Sequence, residues 1–313
     1  MSTQTEYAHI PVLQEQVIRA LNLTGQDFVV DATFGRGGHS RSIMEKLSEH
    51  ARLIVIDRDE SAIETATKEW GSDNRVDIVH APFSKLREIL AEKGLLGSVT
   101  AILFDFGVSS PQLDDPGRGF SFLNDGPLDM RMDRSRGITA ETWLNQVEEA
   151  ELVSVLKRFG EERFAKRIAR SIKTVLTERP IRSTGQLAEI IEKAVPKKEI
   201  GKHPATRSFQ AIRIAVNDEL GEIESALDQV VEALAPGGRV VIISFHSLED
   251  RMVKRFFKQQ AKGDPYPADL PITQDMLRPN LKLVGKPMKA DDSELDANRR
   301  ARSAVMRVAE KVG

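Results

Sequence analysis

The 313-residue chain contains no cysteine. This absence excludes disulfide bonds, thiolate metal ligands and a cysteine nucleophile, and it favours a reducing, cytoplasmic setting. The chain has only six histidines, and their positions show no H-x-x-x-H or comparable metal-ligand spacing. We therefore expect no required metal ion.

Long apolar runs and an excess of one charge are also missing. No stretch approaches the roughly 20 apolar residues that a membrane span needs, and the N-terminal MSTQTEYAHIPVLQEQVIRAL lacks the pattern of a signal peptide. The 45 basic and 47 acidic residues leave a formal net charge of -2. A nucleic-acid partner would therefore have to meet a local basic surface. We expect a cytoplasmic protein that is not bound to a membrane.

From residue 27 onward, short apolar runs alternate with amphipathic segments. Runs such as RLIVIDRD and VTAILFDFGV are typical of buried strands, and a helix-like segment separates each from the next. This alternation predicts right-handed βαβ crossovers and a parallel sheet covered on both faces. Three later runs, RVVIISF after an expected APGG turn, LKLVG and SAVMRVAEK, indicate that the sheet resumes near the C-terminus.

The alternation is interrupted in the middle of the chain. Residues 114–137 are rich in Gly, Pro and Asp and are typical of a loop. Apolar residues then recur at helical spacing, and Ser183 with Gln186 fits a capping box before a further helix. We predict an α/β domain in two parts, 1–114 and 216–313, with a helical domain inserted at 115–215.

A glycine-rich segment, DATFGRGGHS at 31–40, follows the first predicted strand. Gly35 and Gly37 match the first half of the dinucleotide fingerprint G-x-G-x-x-G, but Ser40 occupies the position of the third glycine. A Walker A loop is excluded because no G-K-[ST] follows. Asp57, 20 residues after Gly37, could accept a hydrogen bond from a ribose, which both NAD and S-adenosylmethionine carry.

Three predicted strands end in acidic residues: Asp31, Asp57 and Asp105. The carboxyl ends of parallel strands form the edge at which open α/β sheets bind ligands. Hydrogen-bond acceptors there suit the ammonium, sulfonium and ribose of S-adenosylmethionine, whereas a pyrophosphate prefers backbone N–H groups or Arg. Helix capping by each Asp is the structural alternative. The pattern favours S-adenosylmethionine over the cofactor of an NAD-dependent oxidoreductase.

The segment FGVSSPQLDD after the fourth predicted strand contains SSPQ, a partial match to the D/N/S-P-P-aromatic turn of amine-directed methyltransferases. In such a turn, a side-chain oxygen and a backbone carbonyl accept hydrogen bonds from both N–H groups of an exocyclic amine. These bonds direct the lone pair of the amine toward the methyl group, so catalysis is mostly positioning. Ser110 and Pro111 are the candidate catalytic residues, together with Asp105. Gln112 replaces the aromatic residue, and a plain serine–proline turn is the alternative.

The segment SFHSLED at 244–250 brings Ser, His and acidic residues close together, but no G-x-S-x-G elbow is present. A hydrolase is therefore disfavoured. His246 follows the fifth predicted strand, so we consider a place near the methyl acceptor for it.

Seven basic residues and two acidic ones lie between positions 157 and 173. On a helix, five of the basic residues face away from the apolar stripe of Phe164, Ile168 and Ile172: Arg163, Lys166, Arg167, Arg170 and Lys173. Such a face can bind phosphates. A solvated helix face is the alternative.

These motifs together resemble the bacterial 16S rRNA (cytidine-N4)-methyltransferases, the RsmH or MraW family. The resemblance runs nearly end to end and includes long, unusual strings such as DATFGRGGHS, DFGVSSPQLDDPGRGFSF, HPATRSFQAIRI and LAPGGRVVIISFHSLEDRMVKRFF. It departs at NRRARSA, where Arg299 stands in place of the usual proline. The resemblance implies an α/β class I S-adenosylmethionine-dependent methyltransferase (Rossmann-like) sheet with an inserted all-helical domain.

The resemblance also implies a site and a substrate. S-adenosylmethionine would be held by seven residues: Gly37, Gly38, His39, Asp57 at the ribose, Phe83 near the adenine, Asp105 and Gln112. The substrate would be the N4 amine of a cytidine in the decoding centre of 16S rRNA, within the small ribosomal subunit. A methyltransferase for DNA or another RNA and a catalytically idle assembly factor are the alternatives. The oligomeric state is open, with a homodimer as one candidate.

Overall fold

The computed structural model describes residues 11–197, 201, 203–263 and 278–313. The chain forms two compact units. Unit 1 comprises the described parts of Met1–Gly107 and Gly221–Gly313, and unit 2 is Val108–Leu220. The inserted unit therefore begins before and ends after the 115–215 that the sequence pattern indicates. No helix in the described ranges is long and apolar enough to span a bilayer.

Within its described residues, unit 1 is built on a seven-stranded sheet. The strands are β1 Phe28–Asp31, β2 Arg52–Asp57, β3 Val76–His80, β4 Val99–Asp105, β5 Leu234–Ser244, β6 Leu281–Leu283 and β7 Val305–Lys311. Their order is β3-β2-β1-β4-β5-β7-β6. β1 to β5 pair in parallel, and β7 is antiparallel to both neighbours. The predicted class I methyltransferase fold is confirmed, with β1 and β4 adjacent at its centre.

Thirteen α-helices lie in the described part of the chain. They are α1 Gln14–Leu21, α2 Gly38–Met44, α3 Glu60–Trp70, α4 Leu86–Glu92, α5 Ser110–Asp114, α6 Ala140–Gln146, α7 Glu149–Gly160, α8 Ala165–Glu178, α9 Thr184–Ala194, α10 Thr206–Asn217, α11 Glu219–Ala233, α12 Ser247–Lys262 and α13 Asp292–Ala297. In unit 1, Val17 of α1 and Ile43 of α2 pack with strand residues such as Val29 and Leu103. Strands buried on both faces explain the nearly continuous apolar runs of the sequence.

The expected APGG turn before the fifth strand is wrong, because these residues lie inside β5. The pairing of β5 with β4 shifts register between Val99 and Ala101. Gly237 has a φ of +78°, and a Cβ on Gly238 would lie 2.8 Å from the carbonyl oxygen of Val99. The two glycines thus form an irregularity within the strand, as a bulge does, rather than a turn.

Unit 2 has an apolar core made by its helices, with Leu152, Ile168 and Leu187 fully buried. Ser183 caps α9 as predicted, since its hydroxyl accepts a hydrogen bond from the Gln186 N–H. The glycine- and proline-rich segment 114–137 is not a simple surface loop. Leu128 and Met130 from it are buried in the helical core, so the segment contributes to the packing of unit 2.

Candidate cofactor site and acceptor turn

The buried Asp31 at the end of β1 anchors the loop that follows. Its Oδ2 accepts a hydrogen bond of 2.6 Å from the Ser40 hydroxyl, and its Oδ1 accepts one of 3.2 Å from the Thr33 N–H. Burial raises the pKa of Asp31 to about 6, against the opposing effect of these bonds. Ser40, which breaks the dinucleotide fingerprint, therefore ties α2 to β1, and both Asp31 oxygens are bonded within the protein.

Two glycines let the chain turn sharply from the loop into α2. Gly37 has a φ of +73°, and a Cβ there would lie 2.6 Å from the Phe34 ring. A Cβ on Gly38 would lie 2.4 Å from Cγ of Pro11. Contacts below 3.0 Å force a displacement, so the packing of the loop requires glycine at both positions.

Asp57, at the end of β2, closes the other side of the loop. Its Oδ2 accepts a 2.7 Å hydrogen bond from the Gly35 N–H, and its Oδ1 accepts a 2.8 Å bond from the Asp59 N–H. Burial raises the pKa of this carboxyl although both hydrogen bonds oppose the shift. Each carboxylate oxygen has a second lone pair, so Asp57 can hold the loop and still accept a bond from a ribose hydroxyl.

His39 and Asp105 form the polar centre of the site. His39 Nε2 lies 3.8 Å from Asp105 Oδ2, which is beyond hydrogen-bond distance. Among the described residues, neither ring nitrogen of His39 nor Asp105 Oδ1 has a hydrogen-bond partner, although all three atoms are buried. Buried polar atoms are nearly always paired. The three unpaired atoms of His39 and Asp105 therefore indicate a binding site for a ligand that both donates and accepts hydrogen bonds.

The electrostatics of this pair follow from burial. Burial lowers the pKa of His39 to about 4, so its imidazole is neutral near pH 7. Burial, followed by the negative charges of Asp31 and Glu249, raises the pKa of Asp105 to about 8. A cation placed beside Asp105 would reverse this effect, because it favours the charged carboxylate.

Three aromatic rings form an apolar wall in unit 1. The ring of Phe83, which is half-buried, lies 5.8 Å from that of Phe104 and 5.7 Å from that of Phe106. Strand alternation places Phe104 and Phe106 on one face of the chain and the intervening Asp105 on the other. The resemblance implied Phe83, but the two further rings were missed; their i, i+2 spacing at the end of β4 was the available signal.

The segment SFHSLED forms the junction between β5 and α12. His246 is the N-cap of α12 and accepts the Glu249 N–H through Nδ1, while Glu249 Oε2 accepts the N–H groups of Phe245 and His246. This reciprocal arrangement is a capping box, formed here with histidine. Sequence reasoning considered a place near the methyl acceptor for His246 and missed Glu249, whose negative charge helps to raise the pKa of Asp105. The x-x-E spacing before an apolar helix was the signal for it.

The candidate acceptor turn lies at the start of unit 2 and forms the short helix α5. Ser110 and Gln112 are both buried. Gln112 Oε1 accepts a 2.9 Å hydrogen bond from the Ser109 N–H, so the residue that replaces the aromatic one helps to hold the turn. Ser110 and Pro111 follow Asp105 by five and six positions in the chain.

The predicted basic face begins just before α8 and continues along it. Arg163, Lys166, Arg167 and Arg170 are exposed, and within the described residues none of them forms an ion pair. Lys173 is half-buried, and its Nζ donates a 2.7 Å hydrogen bond to the Leu144 carbonyl. Four of the five predicted residues therefore present an unneutralised basic surface, while Lys173 links α8 to α6.

S-adenosylmethionine fits the groups of unit 1. Its ammonium and sulfonium call for a buried carboxylate such as Asp105, its ribose for Asp57, and its adenine for an apolar wall such as Phe83. The unpaired atoms of Asp105 and His39 and the tight glycine turn are the observations that support this fit. When bound, the cofactor supplies a methyl carbon that is open to attack by a nucleophile.

Comparison with known proteins places the chain in a family. A model of the MraW methylase family matches residues 6–312. A protein of Thioalkalivibrio sulfidiphilus (strain HL-EbGR7), Ribosomal RNA small subunit methyltransferase H, is 51% identical over 313 residues, which covers 100% of each chain.

Solved structures resemble the chain more distantly. An rRNA methylase from Streptococcus thermophilus is 10% identical, with 96% of this chain and 94% of that chain covered and a TM-score of 0.41. TrmN from Thermus thermophilus is 12% identical, with 96% and 48% covered and a TM-score of 0.42. Neither likeness bears on the activity. Because the family model spans nearly the whole sequence and a full-length relative shares half of its residues, the chain belongs to the MraW methylase family.

Proposed function

We propose that this protein transfers a methyl group from S-adenosylmethionine to the N4 amine of a cytidine in the decoding centre of 16S rRNA. The observation that carries the proposal is the 51% identity, over the full length of both chains, to a protein named Ribosomal RNA small subunit methyltransferase H. The unpaired polar atoms at Asp105 and His39 supply the matching cofactor site. An rRNA substrate within the small ribosomal subunit would place the enzyme in the cytoplasm.

On this proposal, the residues of unit 1 hold the methyl donor in one orientation. The Asp105 carboxylate pairs with the ammonium, and the neutral His39 beside it supplies a polar contact. Asp57 accepts a ribose hydroxyl while its bond to the Gly35 N–H keeps the loop closed. Fixing the reacting groups in this way lowers the entropic part of the barrier.

The residues of the acceptor turn act on the cytosine amine. The lone pair of this amine is delocalised into the ring, which makes the nitrogen a weak nucleophile. The Ser110 hydroxyl and a backbone carbonyl near Pro111 would accept hydrogen bonds from the two N–H groups and direct the lone pair toward the methyl group; the carbonyl of Pro111 itself accepts a 2.9 Å bond from the Asp115 N–H. When the amine nitrogen takes the methyl group, the electron pair of the C–S bond would stay on sulfur as a neutral thioether, and the amine would release one of its two protons to solvent.

RNA binding is assigned to the basic row of Arg163, Lys166, Arg167 and Arg170. Side chains without ion-pair partners release counterions from phosphates at no cost in broken salt bridges. A net charge of -2 for the whole chain means that this local surface, rather than bulk charge, would attract RNA.

A methylation assay tests the proposal. Small ribosomal subunits from a strain that lacks the gene are incubated with the protein and radiolabelled S-adenosylmethionine, and the nucleosides are then identified by mass spectrometry. We expect N4-methylcytidine in 16S rRNA, a strong loss of the product with Ser110→Ala, and no loss with Ser98→Ala, which removes an exposed hydroxyl in unit 1. A methyl group on another atom, or on DNA or a different RNA alone, would contradict the proposal.

Two further arms separate the alternatives. If 16S rRNA from the deletion strain contains as much N4-methylcytidine as that from the parent strain, the protein is not the enzyme that makes it, and the role of an assembly factor is the alternative. A comparison of naked 16S rRNA with assembled subunits identifies the form of the substrate, which we expect to be the subunit.

A further inference from the structure

Unit 2 contains a cleft that shares only Arg163 with the basic row. Three segments meet in it: the residues before α8, the residue pair that follows α9, and the entry into α10. The lining residues are Glu162, Arg163, Phe164, Val195, Lys197, His203, Pro204, Thr206 and Arg207. Basic residues from all three segments therefore converge on one concave surface.

The cleft has an excess of positive charge. Arg163 and Lys197 are exposed, and within the described residues neither forms an ion pair. The Arg207 guanidinium, at the rim of the cleft, donates a 3.1 Å hydrogen bond to the Glu161 carbonyl oxygen. The acid in the lining, Glu162, is buried, and its Oε1 accepts the Phe164 N–H.

Two helices begin at the cleft with an unusual distribution of charge. The N-cap side chains of α8 and α10, Phe164 and Ala205, accept no backbone N–H, and neither helix has an acidic residue in its first turn. Lys166 and Arg167 occupy the first turn of α8, and Arg207 that of α10. A helix N-terminus carries partial positive charge, so basic residues there are unfavourable unless an anion is bound nearby.

His203 adds a hydrogen-bond donor and an aromatic surface. Its Nδ1 accepts a 3.2 Å hydrogen bond from the Ala205 N–H, so the neutral ring carries its proton on Nε2. The exposed ring lies against that of Phe122, with a centroid distance of 4.6 Å and an angle of 34° between the ring planes. Together with the half-exposed Phe164, it gives the cleft planar apolar surface on which a base can stack.

We propose that this cleft binds one phosphodiester and an adjoining unpaired nucleoside of the RNA substrate. The inference rests on the proposed function and extends it. Phosphate matches Arg163, Lys197 and Arg207, and a base matches the aromatic surfaces, whereas an acidic peptide would supply charge without a ring to stack. Arg163 also begins the basic row. The bound RNA strand would therefore continue from the cleft onto Lys166, Arg167 and Arg170.

The test compares two charge-matched double variants of the full-length protein. Arg163→Ala with Lys197→Ala removes two cleft charges, and Lys254→Ala with Lys258→Ala removes two exposed charges from α12 in unit 1. The probe is a fluorescent, unpaired RNA oligonucleotide, titrated over a range of salt concentrations. For the cleft variant we expect affinity about tenfold weaker, and a salt slope smaller by about 0.7, since one single-strand phosphate contact is lost and each contributes about 0.7.

Further arms distinguish the parts of the inference. An abasic oligonucleotide of equal charge should bind the wild-type protein more weakly by at least about fivefold; equal affinity, or equally tight binding of polyglutamate, would overturn the nucleoside assignment. Equal RNA affinity in the two double variants would overturn the cleft itself. S-adenosylmethionine affinity, measured by calorimetry, should stay unchanged in both. Absence of rRNA methylation by the wild-type protein would contradict the proposed function instead, and is scored separately.

Discussion

The carboxyl of Asp105 makes cofactor affinity depend on pH. The titratable groups that face it are Asp31 at the end of β1, His39 on α2 and Glu249 on α12. Burial and the two acidic neighbours raise the pKa of Asp105 to about 8, so most molecules of the free protein carry a protonated Asp105 at pH 7. A cofactor ammonium binds the carboxylate form, and its binding must therefore release that proton.

The size of the change in cofactor Kd with pH follows from the pKa of Asp105. Below pH 8 the Kd rises by nearly tenfold for each unit that the pH falls, which gives about an eightfold increase between pH 7.5 and pH 6.5. At pH 7, binding should release about 0.9 proton. His39, whose pKa is lowered to about 4, stays neutral in this window, and Asp31, with a pKa of about 6, titrates mostly below it.

The stability of the free protein depends on pH in the opposite direction to cofactor affinity. A carboxyl whose pKa is raised in the folded state stabilises the fold most at low pH, and this contribution is lost as the pH rises from about 4 to about 8. Asp105→Asn keeps the site neutral. We therefore expect this variant to be more stable than the free wild-type protein at pH 8 and yet to bind the cofactor more weakly.

Isothermal calorimetry in two buffers of different ionisation enthalpy measures both Kd and proton release. Asp105→Asn should show little proton release at pH 7 and a nearly flat Kd between pH 6.5 and 7.5, and it also reports the titration of the cofactor's own ammonium. Asp228→Asn, at an exposed site on α11, should behave as wild type. A wild-type Kd that does not change across this window, without proton release, would refute the reasoning.

The remaining predictions concern the loop and the acceptor turn. Asp57→Ala should weaken cofactor binding by about 10-fold to 100-fold in calorimetry, because it removes an acceptor and frees the Gly35 N–H; wild-type affinity would contradict the ribose assignment. Gly38→Ala should lower the free energy of unfolding by about 1–3 kcal/mol in urea denaturation, since its Cβ meets Pro11, and an unchanged midpoint would show that Pro11 yields freely. Ser110→Ala should reduce kcat while the cofactor Kd stays within about twofold; a change in Kd alone would assign Ser110 to the cofactor site instead.

Much of the fold could be predicted because its signals are local. The alternation of apolar runs and amphipathic segments marked β1 to β5, and the capping residue Ser183 marked the start of α9. The bulge at Gly237 could not be distinguished from a turn, since a positive φ suits both. The burial of Leu128 and Met130 could not be predicted either, because the polar, glycine-rich segment that contains them is typical of a loop.

The sequence by itself determined the kind of site: acidic strand ends, a glycine turn and a serine–proline segment are short patterns whose chemistry depends on residue type. Only the tertiary structure decided which acidic residues are bonded within the protein and which one has an unpaired oxygen for a ligand. Asp31 is bonded to Ser40 and Asp57 to the loop, whereas Asp105 meets His39, 66 positions earlier in the chain, with unpaired atoms on both side chains. Burial and the charge of a distant Glu249 set the pKa of Asp105. These quantities depend on neighbours brought together by the sheet, and no local pattern contains them.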